Sequence, residues 1–281
     1  MALLKIGYLG PQGTFSEEAA LLYQGKVECC LCEYPTIGSV IKAVAAGEID
    51  QGLVPLENRL EGGVGATLDC LSTSEGILIR NEVYHPIRQC LMAEDETRLG
   101  QITVVLSHPH ALGQCAKFID KHLSKAKLLP VESTAAAAKS LAGKPGYAAI
   151  APRRAAELFN LKMLKEGIED NKENATRFVV LSSVEQKPTG NDKTSLVLTI
   201  LDRPGSLYRV LGCFARRGIN LTRIESRPSR EIIGDWLFFI DCEGHSDEFS
   251  ETGLWQEINS EITFIKMLGS YPKGETDSVD N

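Results

Sequence analysis

The stretch Asn174-Ala175-Thr176-Arg177-Phe178-Val179-Val180-Leu181 decides how the chain is read. Its second half is an apolar run of strand type. Its first half puts a hydroxyl, a guanidinium and an aromatic ring on consecutive residues. Side chains alternate across a strand, so Thr176 and Phe178 share one face and Arg177 takes the other, unless the backbone kinks at the strand mouth. Together they make a kit for a small anionic substrate: a fork donor for a carboxylate, a hydroxyl able to pass a proton, and an apolar wall.

Strands and helices alternate before this stretch. Strand patterns fall at Leu4–Tyr8, Gly52–Pro55, Thr103–Leu106, Leu128–Pro130 and Tyr147–Ile150, with extended segments at Ile77–Pro86 and Ile87–Met92. Helical patterns fall at Ser16–Tyr23, Thr36–Ala46, Thr67–Leu71, Ala111–Leu123 and Ser133–Leu141. In Thr36–Ala46 the residues Ile37, Val40, Ile41 and Val44 recur at helical spacing and Gly47 ends the run. The alternation predicts an α/β fold with mostly parallel strands. A polar break at Glu185–Lys193, with Pro188, Gly190 and Asn191, reads as a linker. Beyond it come a strand (Thr194–Leu201), a helix (Ser206–Arg217), two strands (Asn220–Ser226, Trp236–Glu243), a helix (Glu248–Ile258) and a strand (Thr263–Tyr271). This βαββαβ order is the ferredoxin-like arrangement. The charged end, Lys273–Asn281, reads as a disordered tail.

The 281 residues suffice for one large or two ordinary domains, and 43% hydrophobic content describes a folded protein. A net charge of −7 without a basic run argues against nucleic acid as the main partner. No apolar stretch approaches a membrane span, and the N-terminus enters a strand pattern at once, so a cytoplasmic protein is expected. Of the eight cysteines, Cys29, Cys30 and Cys32 cluster without Cys-x-x-Cys spacing or a nearby histidine. They and the scattered Cys70, Cys90, Cys115, Cys213 and Cys242 read as reduced thiols packed as small hydrophobes. His108 and His110 have no carboxylate or cysteine spaced to complete a site, so no metal is expected.

Four phrases, in order, resemble the prephenate dehydratase family. Gly7-Tyr8-Leu9-Gly10-Pro11-Gln12-Gly13-Thr14-Phe15-Ser16 looks like the family's opening motif; on its own it is a strand feeding a Gly-rich turn and a helix N-terminus whose free N–H groups favour an anion. Val54-Pro55-Leu56-Glu57-Asn58-Arg59-Leu60-Glu61-Gly62-Gly63-Val64 resembles the family's Pro-Ile-Glu-Asn-Ser phrase, with Arg59 where serine is usual. Ser107-His108-Pro109-His110-Ala111-Leu112-Gly113-Gln114-Cys115 follows a buried-looking strand, at the carboxyl end where open α/β sheets place ligands; His110 stands where glutamine is more usual. Thr176-Arg177-Phe178 is intact. Downstream, Gly205-Ser206-Leu207 (with Ser206 for the usual alanine) and Glu225-Ser226-Arg227-Pro228 resemble an ACT domain, a small amino-acid-binding regulatory module.

The resemblance implies decarboxylative dehydration of prephenate to phenylpyruvate, without cofactor or metal, in a catalytic domain shaped like a type II periplasmic binding protein. The catalytic domain is expected at 1–184, with lobe 1 at about 1–75 plus 162–184 and lobe 2 at about 76–161. The linker is expected at 185–193, the ACT domain at 194–272 and the tail at 273–281. Catalytic roles carry over to Thr176 as proton donor or relay, Arg177 as carboxylate ligand or electrostatic bias on the cleft, and Phe178 as ring wall. Substrate contacts carry over to Asn58, Glu57, Ser107, Gln114 and Thr14. L-Phenylalanine would be sensed by Asp202, Gly205, Ser206, Leu207, Asn220, Leu221, Glu225, Ser226, Arg227 and Pro228, in paired ACT modules of a homodimer or homotetramer. No fused helical chorismate mutase is expected before Leu4 or after Tyr271. The rival readings are an arogenate dehydratase, a non-catalytic amino-acid sensor and a periplasmic receptor, the last disfavoured by the missing signal peptide.

Overall fold

Leu4–Leu9 (β1) buries Ile6 and Tyr8 on its inner face, and the helix Phe15–Gln24 (α1) carries the chain back to Cys29–Tyr34 (β2), parallel to β1. The computed structural model describes residues 3–94, 96–229 and 236–275. Thr36 then caps the helix Ile37–Ala45 (α2) through a reciprocal bond pair with Ser39, a cap worth about 1 kcal/mol. Its apolar stripe of Ile37, Val40, Ile41 and Val44 is buried against the sheet. Gln51–Asn58 (β3), Gly62–Gly63 (β4), Gly65–Thr73 (α3) and Leu78–Pro86 (β5) complete this part of lobe 1.

The chain crosses to lobe 2 through Ile87–Gln89. There Cys90–Ala93 (β6), Val104–Ser107 (β7), Pro109–Gln114 (α4), Ala116–His122 (α5), Lys127–Pro130 (β8), Thr134–Lys139 (α6), Tyr147–Ala151 (β9), Arg153–Leu158 (α7) and Lys162–Glu166 (β10) build a sheet of order β10-β6-β9-β7-β8. Residues 167–174 return the chain, and Ala175–Ser182 (β11) inserts antiparallel between β3 and β5, giving lobe 1 the order β2-β1-β3-β11-β5. Two lobes linked by two crossings form the type II binding-protein layout.

The lobe boundaries differ from those expected. Residues 78–86 belong to lobe 1, because β5 pairs with β11 along its length. Residues 162–166 belong to lobe 2, because β10 pairs with β6. The elements that escaped the sequence reading include β2, whose Cys29-Cys30-Leu31-Cys32 looked like a thiol cluster, the two-residue strand β4, the charged strand β10 and the short helix α7. The expected helix Ala111–Leu123 is two helices that meet at Cys115.

After the loop 183–191, Asp192–Ile200 (β12), Ser206–Arg216 (α8), Leu221–Pro228 (β13), Trp236–Glu243 (β14), Ser246–Ser250 (α9), Leu254–Ile258 (α10) and Ile262–Pro272 (β15) form a sheet of order β13-β14-β12-β15 with helices on one face. Gly253, at φ 71°, separates α9 from α10. The loop is ordered by Asp192, whose carboxylate accepts from the Thr189 and Gly190 amides and the Thr189 hydroxyl. Of the expected tail, 276–281 lies outside the described residues, while the Gly274 amide donates to Glu82. All eight cysteines are free. Burial pushes the Cys90 thiol up to about 11 and that of Cys242 up to about 12, so neither is a ready nucleophile.

The face of the last sheet that carries no helices is not open. Val197, Phe239, Leu268 and Tyr271 join Val54, Leu68, Ile79 and Leu181 of lobe 1 in one core. Gly269, at φ 137°, lets β15 lie against the backbone of Ile79 in β5, where an added Cβ would come within 2.8 Å of the Ile79 nitrogen. Gly269→Ala should therefore cost clearly more stability than Gly76→Ala. Gly76 also has a positive φ of 69° but meets open space, so its replacement carries only the conformational penalty of about 1–2 kcal/mol. Urea midpoints of the two variants measure the difference, and equal midpoints would refute this packing.

Candidate active site

The lobes enclose a cleft of about 540 Å³. Its floor is Thr176, Phe178, Asn58 and Pro55 from the central strands of lobe 1, with Phe15 and Ser16 at the start of α1. The turn Glu61–Val64 forms one wall. Ile87 and Gln89 enter from the crossing, and His108, His110, Ala111 and Gln114 from around α4. Glu132, Ser133 and Thr134, at the start of α6, close the far side.

Asn58 stands opposite Thr176 in the β3–β11 register, and its Nδ2 donates to Thr176 Oγ1 at 2.9 Å and to the Ala175 carbonyl at 3.3 Å. Its Oδ1 accepts from the Leu60 and Glu61 amides at 3.0 and 3.1 Å, which fixes the turn that forms the wall. Asn58 thus occupies an acceptor site of the Thr176 oxygen. No protein acceptor takes the Thr176 hydroxyl hydrogen among the described residues, so it is free to serve a molecule in the cleft. Just beyond this pair the register slips, so that Phe178 faces Pro55 and Leu56 has no partner of its own. Bulges of this kind re-aim side chains beside active sites.

Polar links cross the cleft mouth. Gln114 Nε2 donates to Glu61 Oε1 at 3.4 Å, Gln89 Nε2 donates to Gln114 Oε1 at 3.3 Å, and His110 Nδ1 lies 3.8 Å from Glu61 Oε2. Behind the floor, Arg154 of lobe 2 pairs with Glu17 of α1 and donates its amide to Glu18, which also meets His85 at 2.9 Å. Burial, then the neighbouring His110, holds the His108 imidazole below its ordinary range, so it is neutral at pH 7. No lysine or arginine lines the cleft among the described residues, and no three His, Cys, Asp or Glu side chains there converge as a metal site.

The expected site residues therefore divide. Thr176, Phe178, Asn58 and Gln114 meet in the cleft. Arg177 does not: strand alternation turns it to the opposite face of the sheet, where it is 5% exposed. Its Nη1 donates to Asp241 Oδ2 at 2.5 Å and its Nη2 to the Tyr271 hydroxyl at 2.7 Å. Its Nε lies 2.7 Å from Glu82 Oε2, in an ion pair whose angle is not that of a hydrogen bond. Glu57, one residue before Asn58, turns the same way and pairs with Arg223 at 3.3 Å. Ser107 is fully buried and donates to the Ile150 carbonyl at 2.6 Å on the neighbouring strand. Thr14 caps α1 and donates to the Pro11 carbonyl.

The residues expected to sense an amino acid do not converge within one copy. The register puts Asn220 and Leu221 at the end of the sheet where β12 begins, whereas the turn Asp202–Ser206 and Ser226–Pro228 lie at the other end. Glu225 and Arg227 lie instead over Gly63 and Gly65, next to the cleft wall. Gln89, Ile87 and Phe15 went unforeseen. The signal for Gln89 was an amide that follows Arg88 in the extended run Ile87–Met92; it is 2% exposed and its Oε1 has no partner among the described residues.

Behind Arg177 lies a buried charge cluster. Lys193 Nζ donates to both Glu82 oxygens at 2.8 and 3.0 Å. Burial pushes the Asp241 carboxyl up, but the charges of Arg177 and Arg223 and the hydrogen bonds from Ser195 and Arg177 outweigh this and hold it below the usual carboxylate range. A carboxylate depressed on folding contributes stability that is complete above its unfolded value, near pH 4, and is lost as pH falls through its folded value. Asp241→Asn should therefore flatten the fall of Tm with acid below about pH 4. Thermal melts across that range measure it, and parallel curves for both proteins would contradict the cluster's ionisation.

Residues 6–186 match the prephenate dehydratase family and residues 194–252 the ACT domain. The bifunctional chorismate mutase/prephenate dehydratase of Stutzerimonas stutzeri is 41% identical over 96% of this chain and 73% of its own. The prephenate dehydratase of Bacillus subtilis is 36% identical over 95% of this chain and 98% of its own. The crystal structure of prephenate dehydratase from Arthrobacter aurescens in complex with L-Phe superposes with a TM-score of 0.88 at 36% identity, covering 96% of this chain and 90% of that one. With a hydroxyl–amide pair on the cleft floor and both domain matches in place, the chain belongs to the prephenate dehydratase family and carries an ACT domain after its catalytic lobes.

Proposed function

We propose that this chain is a cytoplasmic lyase that converts prephenate to phenylpyruvate, carbon dioxide and water in phenylalanine biosynthesis, under inhibition by L-phenylalanine. The observation that carries the chemistry is the Thr176 hydroxyl, oriented by Asn58 and presented to the cleft. In prephenate the ring carboxylate and the ring hydroxyl lie across a cyclohexadiene. The carbon–carboxylate bond breaks, its electron pair enters the ring, and the carbon–oxygen bond opposite breaks as that oxygen takes a proton. One proton consumed balances the water formed, and aromatisation drives the reaction.

The difficult part is expelling hydroxide, so protonating the leaving oxygen is the main catalytic task, typically worth about 10²–10⁴-fold. Thr176 delivers that proton and recovers one through a hydrogen-bonded chain from solvent. Asn58, donating to Thr176 Oγ1, stabilises the negative charge that grows there. Phe178, Ile87, Val64 and Pro55 supply apolar walls for the ring. The substrate's carboxylates meet amide and hydroxyl donors such as Gln89, Gln114, Ser133 and Thr134 rather than a guanidinium. That suits a carboxylate which must leave as neutral carbon dioxide, because a strong cationic grip would stabilise the ground state.

For the regulatory domain we favour an effector site shared between paired ACT modules. The separation of Asn220 and Leu221 from the turn Asp202–Ser206 within one copy supports a second copy as the missing wall, hence a homodimer or homotetramer. Phenylpyruvate formation from prephenate, with and without L-phenylalanine, tests both domains. Thr176→Ala should lower kcat about 10²–10⁴-fold in a folded protein, with Thr176→Ser retaining much of the activity. Near-normal turnover in Thr176→Ala would remove Thr176 from the chemistry. Faster turnover of arogenate in the same assay would replace the substrate, and no turnover of either would favour a sensor.

A further inference from the structure

Glu61, Gln114 and Gln89 cross the cleft mouth as a chain whose polarity is set at one end. The Glu61 carboxylate is an acceptor, so Gln114 turns its Nε2 toward Glu61 Oε1, at 3.4 Å, and its own Oε1 the other way. That oxygen takes Gln89 Nε2 at 3.3 Å, which leaves Gln89 Oε1 as the free end of the chain. Gln89 lines the cleft and is 2% exposed, and its Oε1 has no partner among the described residues. An amide oxygen can only accept, and a buried acceptor left unpaired is costly. The side chain is also held firmly. Ile87 and Gln89 enter the cleft from the first crossing, while Arg88 between them turns away to the Lys172 carbonyl. The Gln89 N–H donates to Glu169 Oε2 at 2.8 Å, and its carbonyl accepts from the Ile168 N–H at 2.9 Å, both on the second crossing. The Ile87 N–H donates to the carbonyl of Asn174, two residues before Thr176, so the crossing runs on beside the strand that carries the hydroxyl.

The missing donor has to come from the molecule in the cleft. Prephenate at neutral pH carries two carboxylates, a ketone and a ring hydroxyl, and only the hydroxyl has a hydrogen to give. The unpaired acceptor thus selects one group, and it is the leaving group. We propose that Gln89 Oε1 accepts the hydrogen of the ring hydroxyl and so turns a lone pair of that oxygen toward Thr176. As the carbon–oxygen bond breaks, its electron pair stays on the oxygen, the Thr176 proton joins it, and water leaves still bonded to Gln89. An oxygen that is receiving a proton is a better donor, so this hydrogen bond strengthens on the way and favours the transition state over bound substrate. The inference rests on the dehydratase reading given above and deepens it: Thr176 supplies the proton, and Gln89 fixes the oxygen that receives it.

The test uses the full chain with two substitutions. Gln89→Met removes the amide at nearly constant length, and Gln89→Asn keeps the amide but withdraws it by one methylene. Both should lower kcat on prephenate about 10–10²-fold with KM little changed, the cost of a misplaced reacting group. The discriminating measurement is inhibition by phenylpyruvate, which in its keto form has the pyruvyl group but no ring hydroxyl. Its inhibition constant should be the same in both variants as in the unmodified protein. Phenylpyruvate weakened in step with prephenate would mean that Gln89 shapes the pocket or holds a carboxylate. A lower Tm at unchanged kcat would mean that its oxygen serves only the fold. A loss larger for arogenate than for prephenate would give the acceptor to an ammonium. Each of these overturns the proposal. If Gln89→Met does not fold, Gln89→Asn decides by the same constants. If the unmodified protein turns over no prephenate, the dehydratase reading fails, and calorimetric titration with the two acids decides here. Weakening of prephenate alone keeps Gln89 as the acceptor of the hydroxyl, and equal changes, or no binding, refute it.

Discussion

Antiparallel insertion of Ala175–Ser182 between β3 and β5 fixes where every side chain of that strand can point. The strand is the chain's return from lobe 2, and all eight of its residues are buried. Its period of two allows no compromise. Thr176 and Phe178 face the cleft, Arg177 faces the ACT sheet, and Val179 and Leu181 pack into the core that the two domains share. A single strand therefore supplies the chemistry on one side and the domain anchor on the other. Neither can shift without the other.

The anchor is ionic, although an apolar one would cost less. Arg177, Lys193, Glu82 and Asp241 are each nearly devoid of solvent, two cations against two anions. Desolvating such groups costs several kcal/mol per ion, which their attraction recovers only with good geometry. The geometry is supplied from three places: Glu82 on β5, Asp241 on β14 and Tyr271 on β15. Hydrophobic contact across the same interface, such as Phe239 against lobe 1, supplies adhesion without direction. The charge cluster adds register, since a guanidinium held on both Nη atoms tolerates little sliding.

Much of this was legible in the sequence, and what was not has identifiable causes. The α/β alternation, the βαββαβ ending and the shared face of Thr176 and Phe178 follow from local periodicity, and the structure repeats them. Glu57 and Arg177 were placed in the cleft by motif, against that same alternation: once Asn58 and Thr176 face inward, their strand neighbours cannot. Applying the rule to both strands would have corrected both. The partners of Arg177 lie 64 and 94 residues further along the chain, and no local pattern announces them. The lobe boundaries shifted because strand pairing, not the position of the apolar run, assigns β5 and β10. The strand β2 was hidden by its cysteines, which invite a chemical reading where a packing one suffices.

The ACT strand β13 repeats the two-faced logic of β11 at the surface. Arg223, Glu225 and Arg227 point inward, to Glu57, over Gly63, and over Gly65 and Asp69. Gly63 and Gly65 admit them because they carry no side chain; a Cβ on Gly65 would come within 2.7 Å of the Arg227 guanidinium. The alternate residues Thr222, Ile224, Ser226 and Pro228 are exposed on the outer face. The outer row contains no residue that lines the cleft, and it shares one backbone with the inner row. The inner row meets lobe 1 at two places: Glu57, which precedes the Asn58 that holds Thr176, and the Gly63–Gly65 turn that walls the cleft. An effector shifts activity only by binding one arrangement of this strand more tightly than another. A ligand on the outer row would bear on the cleft only by changing where the inner row rests.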